Sequence, residues 1–287
     1  MSDDLLPALY ESADKIAKDS QSVFCWLFGM NLVFLTIAVA LSVFYVASVE
    51  FIYCQIFVLF SSLGITILLG YQLPEKTWYG GRALAESTKT MAWRFMMKAE
   101  PFNVDDTKSS ELFLEKLKKL IRDNKEITSK SVASLGKKEI TDEMKSVRAS
   151  KMADRKTYYL NNRIINQLDW YKSKSAFNQK RAKQFFYLII LVTLLAIAFS
   201  IFRISNPTAE QWPTDVYIGI ASALLGWNQA KKFRELSASY AQTAYEINLI
   251  KAQAAQVKTE KDFSIFVSDA ENAFSREHVQ WLARRDI

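Results

Sequence analysis

The sequence predicts an all-α membrane protein: two transmembrane helical hairpins, four crossings in all, joined to long cytoplasmic helices. Three observations carry that prediction. Apolar runs long enough to cross a bilayer come in pairs. Glycine and proline are scarce, 8 and 5 among 287 residues. Basic residues are concentrated between and after the paired runs rather than within them.

The first run covers residues 23–47 and the second 51–71, and neither contains a charged residue. A helix needs about 20 apolar residues to cross a hydrocarbon core of ~30 Å, so both qualify. The link through Ser48, Val49 and Glu50 is short, which predicts a tight antiparallel hairpin. The first run is not a cleavable leader. It is too long for an apolar signal core, and Asp3, Asp4, Glu11, Asp14 and Asp19 precede it where a leader is basic. The third run covers 184–204. The fourth, 212–228, is weaker, with Pro213 and Asp215 at its start. Its Gly219, Ser222, Ala223 and Gly226 form small-xxx-small pairs, which let helices approach closely in lipid. The expectation is a short helix packed tightly on the third run, with local thinning of the bilayer.

Charge sets the orientation. The segment 72–183 and the segment after 230 are rich in Lys and Arg. The two hairpin links hold only Glu50, and then Arg203, Glu210 and Asp215. Because basic loops stay inside, both termini and the central segment are expected to be cytoplasmic. The net charge of +7 is then mostly a topology signal. No helix-turn-helix, zinc-finger or RNA-binding signature is present, and no nucleic-acid partner is expected.

The chain divides into residues 1–135 and 136–287, each with one hairpin and its cytoplasmic helices. Arg82, Leu84, Ser87, Ala92 and Trp93 stand at the spacing of Arg234, Leu236, Ser239, Ala244 and Tyr245, which points to internal duplication. In the first half, Pro74 opens a helix running from Glu75 to Lys98 that Pro101 closes. Asp105 and Asp106 cap an amphipathic helix bearing Leu112, Phe113, Leu117, Leu120 and Ile121. Residues 124–136 read as loop. From Ile140 a helical pattern runs to the third apolar run, with Tyr158, Tyr159, Ile164, Ile165, Leu168, Trp170 and Tyr171 on its packed side. Residues 230–256 hold almost no helix breakers, and a last helix covers residues 263–283. Trp170 beside Lys172 and Lys174 fits interfacial anchoring better than a grip on nucleic acid.

Catalytic patterns are missing. There is no glycine-rich phosphate loop, no H-E-x-x-H and no nucleophile elbow, so the chain is not expected to be an enzyme. Cys25 and Cys54 lie inside apolar runs with no cluster of ligands, and His278 stands alone, so neither metal nor cofactor is expected. Candidate residues come from polarity within the apolar runs. Gln55, Ser62 and Thr66 share one helix face, as do Asn31 and Ser42. Such groups either hydrogen-bond between helices or line a pore assembled from several copies. The first two runs hold no charge, which argues against a proton relay or an ion-coupled transporter. Charge alone nominates Arg82, Arg94, Arg163 and Arg181 as ligand-binding candidates.

One stretch is distinctive: Trp78-Tyr79-Gly80-Gly81-Arg82-Ala83-Leu84-Ala85-Glu86-Ser87, then Ala92-Trp93-Arg94-Phe95 and Ala99-Glu100-Pro101-Phe102. It resembles the SLATT family, the SMODS- and SLOG-associating two-transmembrane effectors. Tyr159, Arg163, Gln167, Trp170-Tyr171 and Asn178 precede the second hairpin in a similar manner. The ending Ala270-Glu271-Asn272, Ser275-Arg276-Glu277-His278 and Trp281-Leu282-Ala283-Arg284-Arg285 is also similar. The resemblance covers most of the chain, in duplicated form. It implies an anti-phage or conflict-system effector of the bacterial inner membrane, one that oligomerises to form a pore or disrupt the bilayer on a signal. It also implies a nucleotide second messenger, or its synthase or sensor protein, as candidate activator and partner. The bilayer itself and further copies of the chain are the other expected partners. A non-conducting scaffold and a constitutive small-ion channel stay open as alternatives.

Overall fold

A computed structural model describes residues 5–44, 48–130, 136–206 and 211–283, with side chains to Ser275. It is 87% helical, without strands among the described residues. In chain order the helices are α1 (Ala8–Val43), α2 (Val49–Gln72), α3 (Pro74–Met96), α4 (Asp106–Asp123), α5 (Lys125–Thr128), α6 (Asp142–Ala149), α7 (Met152–Tyr159), α8 (Asn166–Ser205), α9 (Thr214–Lys231), α10 (Phe233–Gln253) and α11 (Glu260–Ala283). A π-helical segment, Leu160–Ile165, joins α7 to α8.

Local chemistry explains most boundaries. The Ser48 hydroxyl accepts from the Phe51 N–H at 3.2 Å and starts α2. Asp105 and Thr141 cap α4 and α6 in the same way, at 3.0 and 3.1 Å. Two helices end on a left-handed residue, Leu73 after α2 (φ 44°) and Lys232 after α9 (φ 48°). The latter interrupts the stretch 230–256, which holds almost no helix breakers. The expected helix to Lys98 stops at Met96, with Lys98 itself left-handed (φ 54°). The expected long helix from Ile140 is interrupted between α6 and α7, and the expected loop 124–136 contains the single turn α5.

Among the described residues, three helical stretches are long and apolar enough to cross a membrane: Ala8–Val43, Val49–Met96 and Met152–Ser205. The expected fourth crossing, 212–228, falls short of that standard. Its helix has 18 residues, with Asp215 in the first turn and Lys231 in the last. Residues 45–47, Glu210, Arg284 and Arg285 lie outside the described residues, as do the side chains of Arg276, Glu277, His278, Trp281 and Leu282.

The chain forms two compact units that cut across its sequence halves. The polar unit takes residues 1–21, 74–172 and 241–287, and the apolar unit takes 22–73 and 173–240. In the apolar unit large hydrophobic side chains point outward, Phe57 at 69% exposure and Phe60 at 68%, as lipid-facing residues do. Its interior is made of small or modest groups: Ser62 and Ile65 from α2, Val192 and Ala196 from α8. The polar unit has a conventional core. Phe95, Phe102 and Phe113 pack as a trio with centroids 5.0 to 5.9 Å apart, and Trp93, Tyr159, Phe263 and Val267 are fully buried beside α11.

Gly81 sets the approach of α3 to the start of α1. A Cβ there would stand 3.1 Å from the Ala17 nitrogen and 3.2 Å from the Ala13 carbonyl oxygen, both backbone atoms. Its neighbour Gly80 faces only the tip of the Ile127 side chain. Gly81→Ala is therefore expected to destabilise by about 1–3 kcal/mol of overpacking, despite the ~1 kcal/mol that alanine gains in a helix. Gly80→Ala should be close to neutral, because Ile127 can turn away. Thermal unfolding of the two variants in detergent distinguishes the backbone contact from the side-chain one.

Candidate functional site

Two constellations hold the polar chemistry, one in each unit. In the apolar unit, α1 and α2 are joined by hydrogen bonds. The Ser62 hydroxyl donates to Asn31 Oδ1 at 2.6 Å, and Asn31 Nδ2 donates to Thr66 Oγ1 at 3.3 Å. The i, i+4 spacing of Ser62 and Thr66 puts both on the face toward α1. Thr36 and Ser61 instead donate to carbonyls one turn back, Leu32 and Phe57, at 2.8 Å each. Two members of the expected stripe stand apart: Ser42 is exposed and Gln55 half-buried. Neither side chain forms a hydrogen bond among the described residues.

The small residues of α9 meet α1. A Cβ on Gly219 would lie 3.5 Å from Val39, and one on Gly226 would lie 3.5 Å from Leu32. The expected partner of Gly219 and Gly226 was the third run. The glycines instead receive branched side chains from the first, while α8 meets α9 through Phe199 stacked on Tyr217 at 5.3 Å. Ala223 lines a groove with α1, and Ser222 is exposed on the same helix.

The polar unit contains a buried ionic core. Arg163, on the π-helical segment, donates to both oxygens of Glu271 on α11, at 2.8 and 2.7 Å, and both side chains are almost completely withdrawn from water. The Tyr159 hydroxyl donates to the same carboxylate at 2.9 Å. On α3, Arg82 pairs with Glu86 at 2.8 Å and lies 3.7 Å from Asp14 of α1. Lys89 stands 3.6 Å from Glu86. Three cations, Arg82, Lys89 and Arg163, thus face three carboxylates, Asp14, Glu86 and Glu271.

The electrostatics follow from burial and pairing. Burial opposes the charge on Arg163, but Glu271 outweighs it and raises its pKa. Arg82 behaves likewise, with Glu86 and Asp14 outweighing its desolvation. Lys89 goes the other way: burial lowers its pKa, and Glu86 offsets this only in part. Burial, then Asp14 and Glu86, push the Tyr10 phenol from 10.0 up to about 12.

The four arginines nominated by charge have separate surroundings. Arg82 and Arg163 sit in the ionic core. Arg94 donates to the Ser268 carbonyl at 3.2 Å and to Asn272 Oδ1 at 2.7 Å. Arg181, in the apolar unit, donates to Gln184 and lies over the Phe177 ring. The Arg163 guanidinium places Nε and Nη2 on a buried carboxylate and its face 4.6 Å from the Phe274 ring, while Nη1 is buried without a hydrogen-bond partner among the described residues. Sequence reasoning passed over two further buried arginines. Arg148 donates to the Phe95, Phe102 and Val104 carbonyls, Ser109 and Asp106, and Arg155 pairs with Glu260 at 2.5 Å. Their spacing of seven residues along a helical pattern was the one available signal. No cluster of His, Cys, Asp and Glu suited to a metal is found among the described residues.

Arg163→Met is expected to lower stability by about 3–5 kcal/mol, because it strands the buried Glu271 charge. The double variant Arg163→Met, Glu271→Leu should recover most of that loss, and denaturant unfolding of the single and double variants gives the coupling. The raised Tyr10 pKa means that its neutral form belongs to the fold. That contribution is complete below pH 10 and disappears as pH rises through about 12. Tyr10→Phe should therefore flatten the alkaline fall in unfolding temperature.

Two family descriptions match the chain. "SMODS and SLOG-associating 2TM effector domain 3" matches residues 7–156, and "SMODS and SLOG-associating 2TM effector domain 1" matches residues 159–281. No curated protein and no solved structure matches it. With one match covering more than half of the residues and a second following in tandem, the chain belongs to the SLATT family of two-transmembrane membrane effector domains, which it carries twice.

Proposed function

We propose that the chain is a triggered pore-forming effector of a bacterial anti-phage or conflict system, acting as an oligomer in the inner membrane with its polar unit and both termini in the cytoplasm. The observation that carries this reading is the division of polar groups in the first hairpin. Asn31, Ser62 and Thr66 satisfy one another inside the hairpin and hold α1 to α2. Among the described residues Gln55 and Ser42 have no such partner, and they sit on membrane helices whose surroundings are otherwise apolar. Polar groups on a lipid-facing helix are costly unless they meet other polar groups or water. Assembly of several copies around an aqueous path supplies both.

The trigger acts on this reading through the polar unit, as a shift between two arrangements of its helices. The balanced ionic core offers such alternatives, because its carboxylates and cations can exchange partners. A nucleotide second messenger, made or sensed by an associated protein, is the candidate signal by family membership. Of the nominated arginines, the partly exposed Arg82, Arg94 and Arg181 are better placed to receive it than Arg163.

Dye or ion leakage from liposomes containing the full chain tests the proposal, with and without candidate nucleotides. The expected outcome is leakage on triggering that Gln55→Leu with Ser42→Leu abolishes, while the secondary structure by circular dichroism is unchanged. A scaffold that recruits a cytoplasmic partner would leak under no condition. A constitutive channel would leak without any trigger. Either result overturns the proposal.

A further inference from the structure

The apolar unit carries an open groove of about 930 Å³ between α1 and α9, closed on one side by Phe185 of α8. Its walls include Trp26, Met30, Val33 and Ile37 from α1 and Leu224 and Trp227 from α9. Polar side chains are few. The Thr36 hydroxyl is satisfied by the Leu32 carbonyl, and the rest of the polarity gathers at one mouth. There Lys231 Nζ lies 2.8 Å from Cys25 Sγ and 5.0 Å from the centre of the Trp227 ring. A thiol is a weak acceptor, and an ammonium has three donors. Lys231 therefore has unfilled capacity for an oxyanion.

The surroundings of that mouth select the occupant. Ser175 and Ser237 exchange hydrogen bonds at 2.8 and 3.0 Å, and the Phe185 and Phe233 rings lie 5.4 Å apart. These contacts bring Lys180, Arg181 and Lys183 of α8 to the same end of the unit as Lys231, Lys232 and Arg234. Across residues 173–190 and 228–240 the one acid is Glu235. The depth of the groove also has a meaning. It follows α1 from Cys25 to Ile37, roughly 18 Å at 1.5 Å per residue. That is close to one leaflet of a ~30 Å hydrocarbon core. An apolar slot one leaflet deep, with a lysine and a tryptophan at a basic rim, has the dimensions and polarity of a lipid site.

We propose that this groove binds one anionic phospholipid, with an acyl chain along α1 and α9 and the headgroup phosphate on Lys231. The proposal depends on the unit lying in a bilayer and not on pore formation. It makes the composition of the leaflet a ligand of the protein.

The test uses the full chain in phosphatidylcholine vesicles containing phosphatidylglycerol, with bromine placed on the acyl chains of one lipid or the other. The difference between the wild-type protein and Trp227→Phe isolates the Trp227 fluorescence. Brominated phosphatidylglycerol is expected to quench that signal more strongly than brominated phosphatidylcholine at equal bromine content. Lys231→Met should reduce the relative binding constant about fivefold, the factor that corresponds to ~1 kcal/mol per basic residue at an anionic surface. Lys231→Arg should retain the preference, and Lys231→Gln replaces the methionine variant should that one fail to assemble. Equal quenching by both lipids, or a preference that survives loss of the Lys231 charge, overturns the proposal. So does an absence of quenching by either lipid, which would mean that a second copy or other protein groups fill the groove.

Discussion

Arg163 and Glu271 are withdrawn from water together, and most of the polar unit is arranged so that they can be. Each charge alone would be very costly to bury, and their mutual attraction compensates only if the remaining hydrogen-bonding positions are also filled. Tyr159 fills one of them, and its own pKa is pushed well up by burial and by Glu271. The Phe274 ring covers a face of the guanidinium. Tyr159 and Arg163 are four residues apart, and the π-helical segment that begins after Tyr159 shifts the register of the following turn. A π-bulge of this kind is uncommon and is often associated with function. Here it delivers a charged side chain into the core beside α11. The pair ties α11 to the π-helical segment, and α11 packs on α3, whose Trp93 and Phe95 are buried in the polar core.

The apolar unit obeys the opposite rule. Its surroundings are as apolar as its side chains, so burial of hydrocarbon gives little preference for one packing over another. Specificity falls to small groups and polar pairs. Gly219 and Gly226 admit Val39 and Leu32, and Ser62 with Asn31 and Thr66 sets the rotation of α1 against α2. Hydrogen bonds between membrane helices average only about 0.6 kcal/mol each. A bundle held in this way can be rearranged at modest cost.

Helix positions and caps were legible in the sequence because they depend on near neighbours. The capping roles of Asp105 and the breaks near Pro74 and Pro101 are short-range chemistry. The three long apolar runs needed only their length. The fourth is not confirmed as a crossing: its apolar middle is real, but its 18-residue helix carries Asp215 in the first turn and Lys231 in the last. The destination of the arginines was not legible, because burial is decided by partners far along the chain. Arg163 looks in sequence like any exposed cation, and its partner lies 108 residues away. The same distance hid the contact that requires Gly81, which reads locally as a weak spot in a helix. Several residues that carry the family resemblance, Trp93, Phe95, Phe102, Tyr159, Arg163 and Glu271 among them, turn out to be fully buried. The resemblance is therefore to a way of packing as much as to a surface that acts.

Tandem domains of one family invite the expectation of two equivalent halves, and the structure shows where equivalence stops. Both halves follow an apolar helix with a left-handed residue and a further helix, at Leu73 and at Lys232. The matched sequence positions do not share that register, since Arg82 lies nine residues beyond the first break and Arg234 only two beyond the second. The difference of seven, close to two helical turns, preserves the face of the helix but not its depth. The environments differ accordingly. Trp93 is completely buried, while its counterpart Tyr245 is 76% exposed. Most of α3 is core, and α10 presents Tyr245 and Leu249 to the outside. The polar unit is completed by α11 from the second half packing on α3 from the first. Neither half retains the whole core on its own, so the duplication has become one interdependent fold in which the first domain supplies the central helix and the second supplies the carboxylate, Glu271, that faces its own Arg163.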